Sequence, residues 1–192
     1  EHHQTATCVD PAAPLMLAAL ARLSKKARLL ILGNPIANRR QPVRVAEEMA
    51  MVDVLSHGRL EAGFVRGVPY EILPANSNPV RMNERHWEAL DLIVKCWTHR
   101  DGPFSHEGRF FHHRAINIWP RPIQNDPHPP IWIPGGGSIE TWRWCAERDY
   151  VYCYLSYYGY KAGLTAMQGF WNEMAKLGKD HNPYPAGLLA SV

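Results

Sequence analysis

The segment Pro130–Thr141 (PIWIPGGGSIET) joins a short apolar run to three consecutive glycines and then to the start of a helix. Ile131–Ile133 predicts a buried strand, and Ser138 is a typical N-cap residue for a helix that continues to Arg148. Strand, glycine turn and helix N-terminus together expose main-chain N–H groups beside the positive end of a helix dipole. The segment therefore predicts either an anion site, whose glycines adopt unusual φ angles, or an ordinary tight connection with a helix cap.

The glycine turn does not match the two best-known phosphate-binding motifs. GGGS is neither the GxGxxG of dinucleotide-binding folds nor the GxxxxGK[ST] of P-loops. Neither of those folds follows from the motif, so the other elements of the chain must decide the architecture.

Helical and strand patterns alternate along the whole chain, which predicts an α/β protein with a parallel sheet and right-handed crossovers. A doubly wound sheet and part of a (β/α)8 barrel both fit, since a complete barrel typically needs about 250 residues and this chain has 192. The excursion at residues 101–129 predicts a small hairpin followed by a proline-rich loop. The predicted helices are Ala12–Ser24, Pro42–Leu55, Arg81–His99 and Gly159–Leu177, and the further strands are Arg28–Gly33, Arg59–Gly67, Tyr150–Leu155 and Gly187–Val192.

Composition excludes several classes of partner. The net charge is only +3 and the basic residues are scattered, so nucleic acid is not expected. No apolar run approaches the roughly 20 residues needed to cross a membrane. Four widely spaced cysteines without a CxxC pair predict reduced thiols and a cytoplasmic protein, and the ten histidines contain no HExxH metal motif. The chain begins without an initiator Met, which suggests a fragment of a longer protein.

Several motifs together resemble one known family. In chain order they are Glu1-His2-His3, PVRVAEEMAMVDVLSHGRLEAGFVRG (Pro42–Gly67), NERHWEALDLIVKCW (Asn83–Trp97), and the Gly-Gly-Gly-Ser turn followed by WCAERD (Trp144–Asp149). This series spans most of the chain and is similar to the bacterial luciferase-like flavin-dependent monooxygenases, whose superfamily includes F420-dependent oxidoreductases. The resemblance implies one incomplete (β/α)8 TIM-barrel domain over residues 1–192, running from the end of strand 2 to about strand 7.

The resemblance also implies an activity. Such enzymes use reduced FMN and O2 to oxygenate a small organic substrate, and a separate flavin reductase supplies the reduced flavin. Two alternatives stay open: an F420-dependent oxidoreductase that transfers hydride, and a non-catalytic flavin-binding or partner subunit. Members of the family often form homodimers, for which the two helices Ala12–Ser24 and Val43–Leu55 offer apolar faces. The substrate is not predicted.

Carried over residue by residue, the resemblance places catalytic and ring-binding groups near the start of the chain. His2 matches a histidine near the flavin ring, where it would give or take a proton, and Glu1 would orient it. Asn34 would hydrogen-bond the polar edge of the ring, or else be a plain turn residue. The Asn34–Pro35 bond is a candidate for the unusual peptide bond that family members often carry there.

Six residues match the phosphate site of the family. The guanidinium of Arg66 suits a phosphate dianion, whereas Arg85 is either a second contact or a helix-surface residue. The luciferases proper carry an acidic residue before the serine, and Gly137 occupies that place here, which predicts a backbone nest. The remaining cofactor-binding residues are Gly136, Ser138 and Thr141.

Other motif residues are assigned to the fold. Glu47, Asp53 and Arg59 predict helix and strand-end pairing rather than catalysis. The aromatic residues of the excursion, Phe104, Phe110, Phe111 and Trp119, predict either a lid over the barrel mouth or core packing, and core packing is favoured for Trp119.

Overall fold

The computed structural model describes residues 1–6 and 8–179, with only the main chain of Tyr157. The predicted strand Gly187–Val192 lies outside these residues. The chain divides after Pro129 into two compact units, residues 1–129 and 130–192, which are described in turn.

The first unit alternates helices and strands as predicted and ends in a hairpin. Strands β1 and β2 are parallel, with Leu29 opposite Leu60 and Pro35 opposite Val65. The short helix α3 lies in a segment for which no helix was predicted. The elements are α1 (Ala13–Leu23), β1 (Leu29–Pro35), α2 (Pro42–Ser56), β2 (Leu60–Val65), α3 (Pro69–Ile72), α4 (Met82–Thr98), β3 (Phe104–Glu107) and β4 (His112–Ile116), with 3-10 turns at Ile36–Asn38 and Pro79–Arg81.

Helices α2 and α4 and strand β2 supply the core of this unit. Ala46 and Phe64 are completely buried, and the indole Nε1 of Trp97 donates to the carbonyl of Ala46 at 2.9 Å. Strands β1 and β2 approach so closely that a Cβ at Gly63 would lie 1.9 Å from the carbonyl oxygen of Ile31. Only glycine fits at that position.

The charged motif residues hold the fold together, as predicted. The carboxylate of Asp53 accepts hydrogen bonds from the main-chain N and the Nε2 of Gln124 at 2.9 and 2.8 Å. Glu47 pairs with Arg44 on the exposed face of α2. The guanidinium of Arg59 donates to the main-chain carbonyls of Ala21, Ser24, Ala27 and Ser56.

The excursion contains the predicted antiparallel hairpin, β3–β4, whose turn is fastened to α4. The carboxylate of Glu88 accepts hydrogen bonds from the main-chain N–H groups of three successive turn residues at 3.0 to 3.1 Å and lies 3.2 Å from His106 Nε2. Phe111 is buried, but Trp119 is 70% exposed, with the guanidinium of Arg121 near its ring. Core packing was therefore the wrong prediction for Trp119, because the proline-rich loop places its side chain on the surface.

The second unit repeats the strand–helix pattern. Its elements are β5 (Ile131–Gly135), α5 (Ile139–Arg148), β6 (Val151–Tyr154), a 3-10 turn (Ser156–Tyr158) and α6 (Gly159–Lys176). Strands β5 and β6 are parallel, with Trp132 opposite Val151. Tyr152 and Phe170 pack together in the core of the unit, with ring centroids 5.2 Å apart. The strand, glycine turn and helix of the opening segment are thus confirmed.

Surface and thiol features follow the composition. Helix α1 exposes Leu15 and Leu23, and α2 exposes Met51, so apolar faces are present where a homodimer was predicted; the dimer itself stays a prediction. Within the described ranges, none of the four cysteines forms a disulfide bond, and no helix is both long and apolar enough to span a bilayer.

Candidate functional site

In the first unit, polar side chains meet at the carboxyl end of β1. Asn34 is completely buried there, and its Nδ2 lies 3.4 Å from Glu1 Oε2. Its carbonyl oxygen Oδ1 is also buried and has no hydrogen-bond partner among the described residues. An unpaired buried acceptor costs about 1–3 kcal/mol, so this oxygen is suited to receive a donor from a bound ligand.

Glu1 organises this cluster, but not in the way the sequence predicted. Its fully buried carboxylate accepts hydrogen bonds from Ala13 N at 3.0 Å and from Arg39 Nη2 at 3.1 Å, and it lies 3.1 Å from His3 Nε2. The prediction that Glu1 orients His2 is therefore wrong. The two adjacent histidines diverge, and the second one turns back to Glu1.

His2 has a different carboxylate partner, Glu71 of helix α3. His2 Nδ1 lies 2.7 Å from Glu71 Oε1, whose side chain is fully buried while that of His2 is 45% exposed. Burial raises the pKa of Glu71, but hydrogen bonds from His3 N, His2 and Val68 N outweigh it, so the pKa falls below its usual value. Sequence reasoning missed Glu71. A signal was present in Pro69 followed two residues later by Glu71, since an acidic residue at the third helical position is typical of a capping box.

Arg66 follows strand β2, as predicted, and lies beside further polar groups. Its Nη1 donates to Asn83 Oδ1 at 2.9 Å. Burial, followed by the charge of Arg66, lowers the pKa of His86 to about 3, so this histidine is neutral. Neither side-chain polar atom of Asn38 has a hydrogen-bond partner in the described part of the chain, although both are buried. Asn38 is a second orphaned amide after β1 that sequence reasoning missed.

Arg85 fastens the segment that follows β1. Its Nε donates to the carbonyl of Ala37 at 3.0 Å and its Nη2 donates to the carbonyl of Arg39 at 2.9 Å. The guanidinium also lies over the ring of Phe111, 4.3 Å from its centroid. Burial lowers the pKa of Arg85, and the charge of Glu88 opposes that shift. These contacts give Arg85 a structural task, and its phosphate contact stays a prediction.

The unusual peptide bond lies two residues before the predicted position. Leu32–Gly33 is cis, whereas Asn34–Pro35 is not among the cis bonds of the described residues. The prediction for Asn34–Pro35 is therefore wrong in position. The observed bond still lies in β1, directly before Asn34.

In the second unit, the glycine turn leaves open space at the N-terminus of α5. A Cβ at Gly136 or Gly137 would meet no atom of the described residues within 4 Å, so the backbone is accessible in this part of the structure. None of the three glycines has a positive φ, so the predicted unusual φ angles are wrong. Ser138 caps α5, since its Oγ accepts from the main-chain N of the buried Thr141 at 3.5 Å.

Tyr152 fixes the main chain of this turn. Its hydroxyl donates to the carbonyls of Gly135, at 3.2 Å, and Gly136. Burial raises the pKa of Tyr152 to about 12, so the hydroxyl keeps its proton at neutral pH. The glycines of this turn therefore leave the main chain uncovered and do not serve to adopt positive φ angles. No cluster of three metal-ligating side chains occurs in the parts of the chain described above.

The residues described above all lie in the part of the chain that matches a known protein family. The family model for luciferase-like monooxygenases matches residues 1–181. The chain belongs to this family. A curated relative, the oxygenase component of a flavin-dependent trigonelline monooxygenase from Acinetobacter baylyi, is 32% identical over 136 residues, which cover 69% of this chain and 36% of the relative.

Solved structures show the same fold. The oxygenating constituent of 3,6-diketocamphane monooxygenase from Pseudomonas putida, a type II Baeyer–Villiger monooxygenase in complex with FMN, aligns with a TM-score of 0.80 at 19% identity, over 93% of this chain and 52% of that chain. An F420-dependent secondary alcohol dehydrogenase in complex with an F420–acetone adduct aligns with a TM-score of 0.73 at 20% identity, over 93% and 55%. The luciferase-like protein therefore has part of a TIM-barrel fold and spans about half the length of these two chains.

Proposed function

We propose that this luciferase-like protein is the oxygenase of a flavin-dependent monooxygenase that uses reduced FMN and O2 to oxygenate a small organic substrate. The carrying observation is the buried Oδ1 of Asn34 at the carboxyl end of β1, for which the described residues supply no donor. A flavin ring presents an N–H group at its polar edge, and that donor would satisfy this oxygen. Active sites of barrel enzymes lie at this end of the strands.

Phosphate contacts are proposed for residues of each unit, taken separately. In the second unit, the open main chain at Gly136 and Gly137 and the capped N-terminus of α5 suit an anion. We assign Ser138 and Thr141 to the same contact. In the first unit, Arg66 supplies the positive charge, and Asn83 holds its guanidinium at 2.9 Å. Arg85 is the weaker candidate, since two carbonyls already use its donors.

The chemistry of the site would be divided between cofactor and protein. Reduced FMN, when bound, supplies the electrons that activate O2. His2 gives or takes a proton, while the hydrogen-bonded cluster of Glu1, Arg39 and Asn34 positions the ring. A separate reductase would supply the reduced flavin, which the name of the Acinetobacter relative, an oxygenase component, supports. A homodimer is proposed through α1 and α2.

A second function fits the same residues. The structural similarity to an F420-dependent alcohol dehydrogenase favours hydride transfer without oxygen chemistry as the alternative. Asn34 would serve a deazaflavin ring equally well, because that ring has the same polar edge. A non-catalytic flavin-binding subunit is the third possibility, and the presence of His2, Arg66, Ser138 and Thr141 argues against it.

Cofactor titration separates the FMN-dependent function from the F420-dependent one. The purified chain is titrated with FMN and with F420, and binding is followed by quenching of cofactor fluorescence. FMN binding supports the proposal, whereas tight F420 binding without FMN affinity would overturn it. Arg66→Ala should weaken FMN binding by roughly 10- to 100-fold, since hydrogen bonds to charged groups contribute about 1.5–3 kcal/mol. Arg44→Ala, which removes a guanidinium from the exposed face of α2, is the matched control and should leave affinity unchanged.

A further inference from the structure

We propose that Glu71 is a positioning residue, which holds His2 as the Nδ1–H tautomer and thereby makes Nε2 its proton-accepting atom. The use of Nε2 in catalysis rests on the proposed function, whereas the tautomer itself does not. The proposal concerns the contact between a buried carboxylate on a four-residue helix, to which the family resemblance gives no role, and the half-exposed histidine beside it.

The contact itself decides which nitrogen carries the proton. Glu71 Oε1 lies 2.7 Å from His2 Nδ1, the length of a charge-assisted hydrogen bond. An ionised carboxylate has acceptors but no donor, so the shared proton must belong to the imidazole. In the neutral ring, a proton on Nδ1 leaves Nε2 as a lone-pair acceptor.

The carboxylate is held so that it stays ionised and fixed. Its oxygens also accept hydrogen bonds from His3 N at 2.8 Å and Val68 N at 3.2 Å, and its side chain is fully buried. Both main-chain donors favour the charged form, because a protonated carboxyl would lose acceptor capacity. Helix α3 thus presents Glu71 to the N-terminal segment as a rigid acceptor.

His3 provides an internal contrast. Its distal nitrogen, Nε2, lies 3.1 Å from Glu1 Oε1, and its side chain is only 24% exposed. His2 is bound through the proximal nitrogen instead and is 45% exposed. The two neighbouring histidines therefore have opposite arrangements. His3 contacts a carboxylate of the fold through Nε2, whereas His2 contacts one through Nδ1 and keeps Nε2 for a ligand. A carboxylate that fixes a histidine tautomer in this way is a known device of acid–base sites.

Nitrogen NMR of the whole 192-residue chain tests the tautomer without any cofactor. The chain is labelled with 15N-histidine and studied at about pH 8, where histidine side chains are ordinarily neutral. Protonated and unprotonated ring nitrogens resonate in separate 15N ranges. His2→Gln identifies the His2 signals by their loss. We expect a protonated Nδ1 and an unprotonated Nε2; a protonated Nε2 as the main form would overturn the proposal.

Two variants test whether Glu71 determines the tautomer of His2. Glu71→Ala should make Nε2–H the main tautomer of His2, as in free histidine, whereas His3→Gln should leave His2 unchanged. Persistence of the Nδ1–H tautomer in folded Glu71→Ala would refute the role of Glu71. If that variant does not fold, the wild-type spectrum alone decides. Failure to bind FMN would remove the proposed function but leave these spectra, and hence the inference, intact.

Discussion

Replacing Arg85 by Met tests whether this arginine holds the fold or the cofactor. The variant keeps most of the aliphatic stem but loses the donors to the carbonyls of Ala37 and Arg39 and the stacking on Phe111. Each hydrogen bond contributes about 1–1.5 kcal/mol at this half-buried position, and the stacking adds about 0.5–1 kcal/mol. The expected loss is therefore about 3 kcal/mol, which in a chain of this size lowers the unfolding temperature by roughly 6–12 °C.

The assay is thermal unfolding followed by circular dichroism, with FMN affinity measured on the same samples. Arg81→Met is the matched control, because the Arg81 guanidinium pairs on the surface with Glu84, and both side chains are more than 40% exposed. Such a pair contributes roughly 0–1 kcal/mol, so the control should unfold within about 3 °C of the wild type. If Arg85→Met is as stable as the control, the structural task is refuted. A loss of FMN affinity at unchanged stability would instead restore the predicted phosphate contact.

Two further predictions concern the glycine turn and the hairpin. Gly137→Ala should leave the free energy of unfolding within about 1 kcal/mol of the wild type and weaken FMN binding, because its Cβ enters open space. Gly63→Ala should instead destabilise the protein by about 3 kcal/mol or more, because its Cβ would lie 1.9 Å from a carbonyl oxygen. Equal stability of the two variants, measured by urea unfolding, would refute this distinction. Burial raises the pKa of Glu88, but hydrogen bonds from His106 and from the main chain of the turn outweigh burial and lower the pKa below the ordinary 4.5. The ionised carboxylate therefore stabilises the hairpin turn above about pH 4.5, and this stabilisation is lost as the pH falls through the lowered pKa. Hydrogen exchange should show the turn of β3–β4 losing protection in that acid range, and Glu88→Gln should reduce protection at pH 7 and remove the acid dependence; an unchanged acid dependence in the variant would contradict the role of Glu88.

Local patterns predicted most of the elements. Periodicity and helix-cap residues placed α2, α4 and α5 to within about one or two residues, because amphipathic spacing and caps are properties of neighbouring residues. Helix α3 was missed because its four residues are too few for a periodic signal. Its start depends on the Glu71 carboxylate, which accepts from Val68 N.

Pairings between distant segments were predicted less well. The family resemblance implied that Glu1 orients its neighbour His2. The fold instead brings Glu71 to His2 across 69 positions and leaves Glu1 to Arg39 and His3. The prediction of core packing for Trp119 was wrong for a related reason, since hydrophobicity alone does not show whether a loop residue faces the core or the solvent.

Local patterns and motifs were sufficient to predict the family, the order of helices and strands, and the types of residue available for a flavin site. The contacts of the folded chain were needed to show which carboxylate meets which histidine, which arginine donates to main-chain carbonyls, and which amide groups of the described residues lack hydrogen-bond partners. Those outcomes depend on side chains that meet across dozens of residues, and burial makes each unpaired group costly. The orphaned Oδ1 of Asn34 and the Glu71–His2 contact are both of this kind.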